Sequence, residues 1–244
     1  MTMGTLRTQS DKLSFSWRGV FRLLGCSSFI LFFIFLIPKS FHNEYFPITD
    51  VKVFGIHHVN HEELQNLILP FISKGFFRLD LAEIKEQILQ LAWVNEVTVQ
   101  RVWPDKVMIS LNEKNPVARW NDESLLSDSG EIFTPSHDTY PSDLPQFVGP
   151  SGEQLKLIRY YAKINNLFSP LHFKIARLEL LPLQGWNITL TNGIKLNAGY
   201  KDILTRISHF VKVYPKIVGA READVEYIDL RYPNGMAVRW KSVT

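Results

Sequence analysis

Hydrophobic and polar positions change their spacing several times along this chain, and each change marks an element. From 19 to 38 the run is apolar with Arg22 as its only charge. Twenty residues in a helix span about 30 Å, the thickness of a bilayer's hydrocarbon core, so the spacing predicts a transmembrane helix over 19–38. Arg22 lies one turn inside the boundary, where a long side chain can extend to the headgroups. The exit, Ile37-Pro38-Lys39-Ser40-Phe41, offers no small-residue cleavage site, and Phe29, Phe32, Phe33 and Phe35 crowd the centre. An uncleaved anchor is therefore expected rather than a removable signal peptide.

After a linker at 39–47 the pattern becomes periodic. Residues 48–54 alternate as a half-buried strand does, and Gly55 closes it. Asn60 followed by Glu63 forms a capping pattern ahead of Leu64, Leu67 and Ile68, and Pro70 is expected to end this first helix. Asp80 caps a second helix whose apolar face is Leu81, Ile84, Ile88 and Leu91. Two period-2 runs follow, 94–101 and 106–113, with Trp103-Pro104-Asp105 as the turn between them. The order strand, helix, helix, strand, strand over 48–116 is enough for one small domain, two helices covering one face of a three-stranded sheet.

From 117 to 244 the strands are shorter and the turns richer in Gly and Asn. A tight hairpin is expected around Asp128-Ser129-Gly130, then an aperiodic loop with four prolines from 135 to 150, then a helix through Leu155, Ile158, Tyr161 and Ile164. Strands at 177–180, 186–190 and 194–197 precede a helix over 201–214, and a hairpin of 225–232 with 236–240 follows. The whole is an α+β chain: one N-terminal span, a β-α-α-β-β domain, and a mixed-sheet domain with two helices.

Charge sharpens this picture once it is located. The formal charge is +3, from 27 basic and 24 acidic residues, and all of the excess sits in residues 1–22, where Arg7, Lys12, Arg18 and Arg22 face Asp11 alone. With this tail before the span and only Lys39 just after it, the positive-inside rule puts the N-terminus in the cytoplasm and the two domains outside, in a bacterial periplasm. The exported part is neutral, which removes the electrostatic term that dominates nucleic-acid affinity. The single cysteine, Cys26, lies within the span, so no disulfide is expected.

Candidate chemistry is sparse. His57-His58-x-x-His61 with Glu62 and Glu63 supplies nitrogen ligands in principle, but no matching Cys or His pair follows, and a solvated loop and helix start is expected. There is no G-x-S-x-G, Walker loop, H-E-x-x-H or S-x-x-K. Asp122 and Glu123 sit in a polar loop, where a solvated turn explains them. No catalytic residue, cofactor or metal is expected. The strand 236–240 reads on pattern alone either as an ordinary core strand or as an open edge able to accept a strand from another chain.

Several separated motifs carry a resemblance. Ala92-Trp93-Val94-Asn95-Glu96-Val97 through Trp103-Pro104-Asp105-Lys106, and on to Pro116-Val117-Ala118-Arg119-Trp120, resembles the POTRA domain of the FtsQ/DivIB cell-division family and its junction with the next domain. Asn192-Gly193-Ile194-Lys195 and Tyr227-Ile228-Asp229-Leu230-Arg231-Tyr232 through Trp240 resemble the family's β domain. The resemblance implies a single-pass inner-membrane protein of the division septum that assembles with FtsB and FtsL, FtsB adding a strand to the terminal edge. Carried over by position, the contact residues are Arg231, Tyr232, Asn234, Gly235 and Met236, with Val238 and Trp240 on the same strand. It implies septal recruitment and contacts with upstream division proteins for the POTRA domain. The stretch Leu183-Gln184-Gly185 before Trp186 lacks the basic residues that members can carry there. Two other classes fit less well: a POTRA chaperone for polypeptide transport would continue into a lipid-facing barrel, and a periplasmic hydrolase would need a nucleophile or metal set that the sequence does not offer.

Overall fold

The computed structural model describes residues 46–232 and 235–241 together with Phe32. The predicted span over 19–38 and the linker that follows it lie outside the described residues, Phe32 and residues 46–47 apart. Among the described residues no helix is long and apolar enough to cross a membrane.

The first sheet is built from β1 (Asp50–Phe54), β2 (Val94–Val102) and β3 (Lys106–Glu113), in the order β1-β3-β2. β1 runs parallel to β3, which needs a long crossover, and two helices supply it: α1 (His61–Ile72) and α2 (Leu81–Ile88). The Asn60 side chain accepts the backbone N–H groups of Glu62 and Glu63, and Asp80 does the same for Ala82 and Glu83. Leu64, Ile68, Ile84 and Ile88 turn inward against Val97, Val107 and Ile109. Asp50 lies opposite Lys106 in the register, so the chain arrives at the same end of the sheet as the Trp103–Asp105 turn. It leaves from the other end, after Glu113.

The second sheet has nine strands. They are β4 (Pro116–Trp120), β5 (Ser124–Ser127), β6 (Ile132–Phe133), β7 (Gln146–Val148), β8 (Ile175–Leu181), β9 (Gly185–Leu190), β10 (Lys195–Gly199), β11 (Val225–Asp229) and β12 (Ala237–Trp240). Their order is β12-β11-β10-β9-β8-β7-β4-β5-β6. Helix α3 (Gln154–Phe168) bridges the parallel pair β7 and β8, and helix α4 (Ile203–Ile217) bridges the parallel pair β10 and β11. Both crossovers leave strands that point the same way and step the same way across the sheet, so right-handed connections put both helices on one face. There they meet, Phe168 edge-on to Phe210 at 6.2 Å between ring centroids.

The two sheets share packing. On β5, Leu125 and Leu126 are both fully buried and belong to different cores: Leu126 to that of the large sheet, Leu125 with Phe133 to that of the small one. Alternation along a strand makes this unavoidable once both faces are covered. Around this contact Trp93 donates its indole N–H to Thr139 Oγ1 at 2.9 Å, packs edge-on to Phe133, and stacks on His58 with centroids 4.2 Å apart. The Glu113 carboxylate accepts the backbone N–H groups of His57, His58 and Val59 at 2.8–3.0 Å and lies 3.0 Å from His58 Nδ1. Burial pushes this carboxyl up, but the three backbone N–H groups and the His58 ring together outweigh it and hold the group below the usual carboxylate range.

Four features differ from the sequence reading. Helix α1 continues past Pro70 to Ile72: the proline forgoes the N–H that would bond to the Asn66 carbonyl, and the packing of Phe71 and Ile72 on the core offsets that loss. Leu91 packs in the core from beyond the end of α2. The loop 135–150 contains β7, a strand too short for any period to show, anchored by the fully buried Phe147. The final hairpin strands are also shorter than expected, Leu230–Tyr232 lying outside β11.

Leu125→Ala is expected to cost about 3 kcal/mol and to speed amide exchange in β2 and β3, which belong to the other sheet; unchanged exchange there would separate the two cores. Glu113 gives a second prediction. A lowered carboxyl stabilises the fold above its unfolded value and loses that contribution as pH falls through the lowered value. Acidification below about 4.5 should therefore weaken the wild type more than Glu113→Gln, seen as a smaller drop of the variant's thermal midpoint between neutral pH and about pH 3.

Candidate partner-binding edge

β12 is the last strand in the sheet order and, among the described residues, pairs with β11 alone. An edge strand presents a row of backbone N–H and C=O groups to its open side. Along β12 exposure alternates: Ala237 and Arg239 are exposed, whereas Val238 and Trp240 are half-buried and pack, with Met236, on the large core. The Arg221 guanidinium lies 4.2 Å from the Trp240 ring centroid, and the Lys241 N–H donates to the Asp224 carbonyl at 2.7 Å, so the outer strand is fixed at its far end.

At its near end Ala237 lies opposite Asp229, which is bonded to Arg231. Arg231 Nε donates to both Asp229 carboxylate oxygens at 2.9 and 3.1 Å, Nη2 donates at 2.7 Å, and the Arg231 backbone N–H donates at 3.0 Å. Asp229 is buried, and the hydrogen bonds from Arg231 hold its carboxyl below the usual range against the cost of desolvation. Gly199, at φ +67°, makes room for this pair: a Cβ there would lie 3.0 Å from Arg206 Nη1 and 3.1 Å from Arg231 Cγ.

Beyond the pair the surface sinks into a groove of about 430 Å³ between α4 and the β11–β12 connection. Arg206, His209, Phe210 and Val213 form its helical wall, and Leu230, Tyr232, Gly235 and Met236 form the other. Tyr232 is more than half exposed at the rim. Of the residues expected from the sequence, Arg231, Tyr232, Gly235 and Met236 gather here, and Val238 and Trp240 continue along the strand with their side chains turned inward. Asn234 lies outside the described residues. The wall of α4 and the buried Asp229 were not among the residues singled out. The polar positions of α4 at 205, 206 and 209 gave the only signal, being displaced from the apolar stripe of Ile203, Ile207, Phe210 and Tyr214.

The three histidines near the first helix form no metal site. His58 is committed to Glu113 and Trp93, and among the described residues no group of three His, Cys, Asp or Glu side chains converges to hold an ion.

Comparison with known proteins matches residues 46–114 to the POTRA domain, FtsQ-type, and residues 118–231 to Cell division protein FtsQ/DivIB, C-terminal. The chain belongs to the FtsQ/DivIB family. It is 33% identical over 197 residues to the cell division protein FtsQ of Coxiella burnetii, covering 80% of this chain and 81% of that one. Against FtsQ of Escherichia coli K12 the identity is 33% over 190 residues, or 75% and 69% of the two chains. FtsQ of Shewanella oneidensis is 32% identical over 228 residues, or 92% and 86%. The family's β-domain match ends at Arg231, so the outer strand β12 falls just beyond it.

Removing the guanidinium should release the Asp229 carboxyl. Arg231→Ala is expected to raise its titration midpoint, measured by carbon-13 NMR of the carboxyl; an unmoved midpoint would show that the Arg231 guanidinium does not set it.

Proposed function

We propose that this chain is a non-catalytic scaffold of the division machinery, held in the bacterial inner membrane by residues 19–38 with its N-terminus in the cytoplasm. Residues 117–244 receive FtsB, which adds a strand to β12 and lays side chains into the groove beside Tyr232, and FtsL completes the complex. Residues 48–116 serve recruitment to the septum and contacts with upstream division proteins, so that early and late components are joined through one chain. No cofactor, metal or small-molecule substrate takes part.

One observation supports the partner site above the others. The last strand of a nine-stranded sheet borders a groove lined by Tyr232, Gly235 and Met236. Strand addition draws affinity from main-chain hydrogen bonds and specificity from pockets for the incoming side chains, and both are adjacent here. Because Val238 and Trp240 face the core, their part is to hold the strand in place for pairing rather than to meet the partner directly. The loop before Trp186 is a β8–β9 hairpin with no basic side chain, and it adds no charged contact to this surface.

Tyr232→Glu in the full-length protein is expected to weaken FtsB capture about tenfold or more, the size of a lost central contact. Photoreactive residues placed at Met236 and Ala237 should yield FtsB adducts in dividing cells. Undiminished capture by the variant together with no adduct at either position would sink the assignment.

A further inference from the structure

The chain reaches the first sheet at one end, and that end carries exposed aromatic rings. Thr49 donates its backbone N–H to the Asp105 carbonyl at 3.0 Å, so the β2–β3 turn stands beside the arriving chain. Trp103 projects from this turn and is 76% exposed, the most exposed tryptophan among the described residues. The segment between α1 and α2 returns to the same end. Phe76 donates its N–H to the Phe46 carbonyl, and Arg101, in the last turn-side portion of β2, donates to the Leu79 carbonyl. On this surface Phe77 packs edge-on to Phe46, centroids 5.0 Å apart, and remains about half exposed.

Charge does not explain the patch. Lys74, Arg78, Arg101 and Lys106 are the basic residues around it, and Asp50, Asp80, Glu83 and Asp105 match them in number; Lys74 pairs with Glu83 and Lys106 with Asp50. What the end offers is apolar rings with a polar indole N–H among groups of no net charge. That is the composition of residues at a membrane–water boundary, where an amphipathic ring has its apolar body in the acyl region and its N–H among headgroups.

The tether supplies the partner. Only seven residues, 39–45, separate the expected end of the anchor from Phe46, and a fully extended chain of that length spans at most about 25 Å. The aromatic end is thus confined near the bilayer surface, and confinement makes even a weak contact intramolecular. We infer that this end of the first sheet docks on the bilayer that carries the anchor, with Trp103 inserted at the boundary between headgroups and acyl chains and Phe77 beside it. The inference rests on the anchor assigned to residues 19–38. Docking of this kind fixes the tilt of the first sheet relative to the membrane instead of leaving it to swing on the linker.

The test uses the full-length chain in phosphatidylcholine vesicles whose lipids carry bromine on the acyl chain, a contact quencher of indole emission. Subtracting the spectrum of Trp103→Phe from that of the wild type isolates Trp103, since the other five tryptophans are common to both. The difference emission is expected to fall by about half or more relative to ordinary vesicles, and to do so equally at high salt, as an apolar contact should. If the protein floats with the vesicles and the Trp103 emission is unquenched, docking is overturned while the anchor stands. If the protein does not float at all, the anchor fails and docking falls with it. Quenching confined to anionic vesicles at low salt would overturn insertion by replacing it with charge attraction.

Discussion

A β-strand has two faces, and the burial of both at β5 is the constraint on which the arrangement of this protein depends. Leu125 and Leu126 are adjacent in sequence and fully buried, yet they serve separate cores. One peptide bond therefore joins the two hydrophobic clusters, and parting the sheets at this point would expose Leu125. Trp93, His58, Thr139 and Glu113 ring this point with directional contacts, which convert apolar adhesion into a defined orientation. The rest of the large sheet is propagated from there, strand by strand, to β12.

Propagation explains where the open edge lies. Of the three parallel joints in the large sheet, β4–β7 is spanned by the β5–β6 hairpin and its loop, whereas β7–β8 and β10–β11 are each crossed by a helix, and these two crossovers carry the chain steadily away from the small sheet. The final hairpin then turns back on itself with Val225 opposite Trp240. The edge farthest from the junction is consequently the one that the chain makes last, and the Asp229–Arg231 pair fixes the exit of β11.

Much of this was legible in the sequence, for a physical reason in each case. The caps at Asn60 and Asp80 are local chemistry between residues two and three apart, and both form as read. The period-2 runs from 94 and 106 are long enough for alternation to be unmistakable. What escaped the reading depends on contacts far along the chain. β7 is a three-residue strand given its place by neighbours on both sides. Leu125 looked like part of one local hairpin, and nothing nearby in sequence says that its side chain completes the core of residues 46–113. The groove wall on α4 is equally remote, with Arg206 and Val213 lying 26 and 19 positions before Tyr232. Asn234 and the span could be read only as sequence, since both fall outside the described residues.

The chain reaches one end of the small sheet and departs from the other, and this polarity sets a height. Eight residues of β3 rise about 26 Å at the usual spacing of an extended strand. In the proposed arrangement that length separates the bilayer surface from the first residue of the large sheet. A membrane-tethered protein that pairs with β12 must then possess a stalk of comparable reach before its own pairing segment begins. Under the proposed docking and strand addition, the small sheet acts as a ruler that selects partners by the distance of their recognition segment from the membrane as well as by its composition.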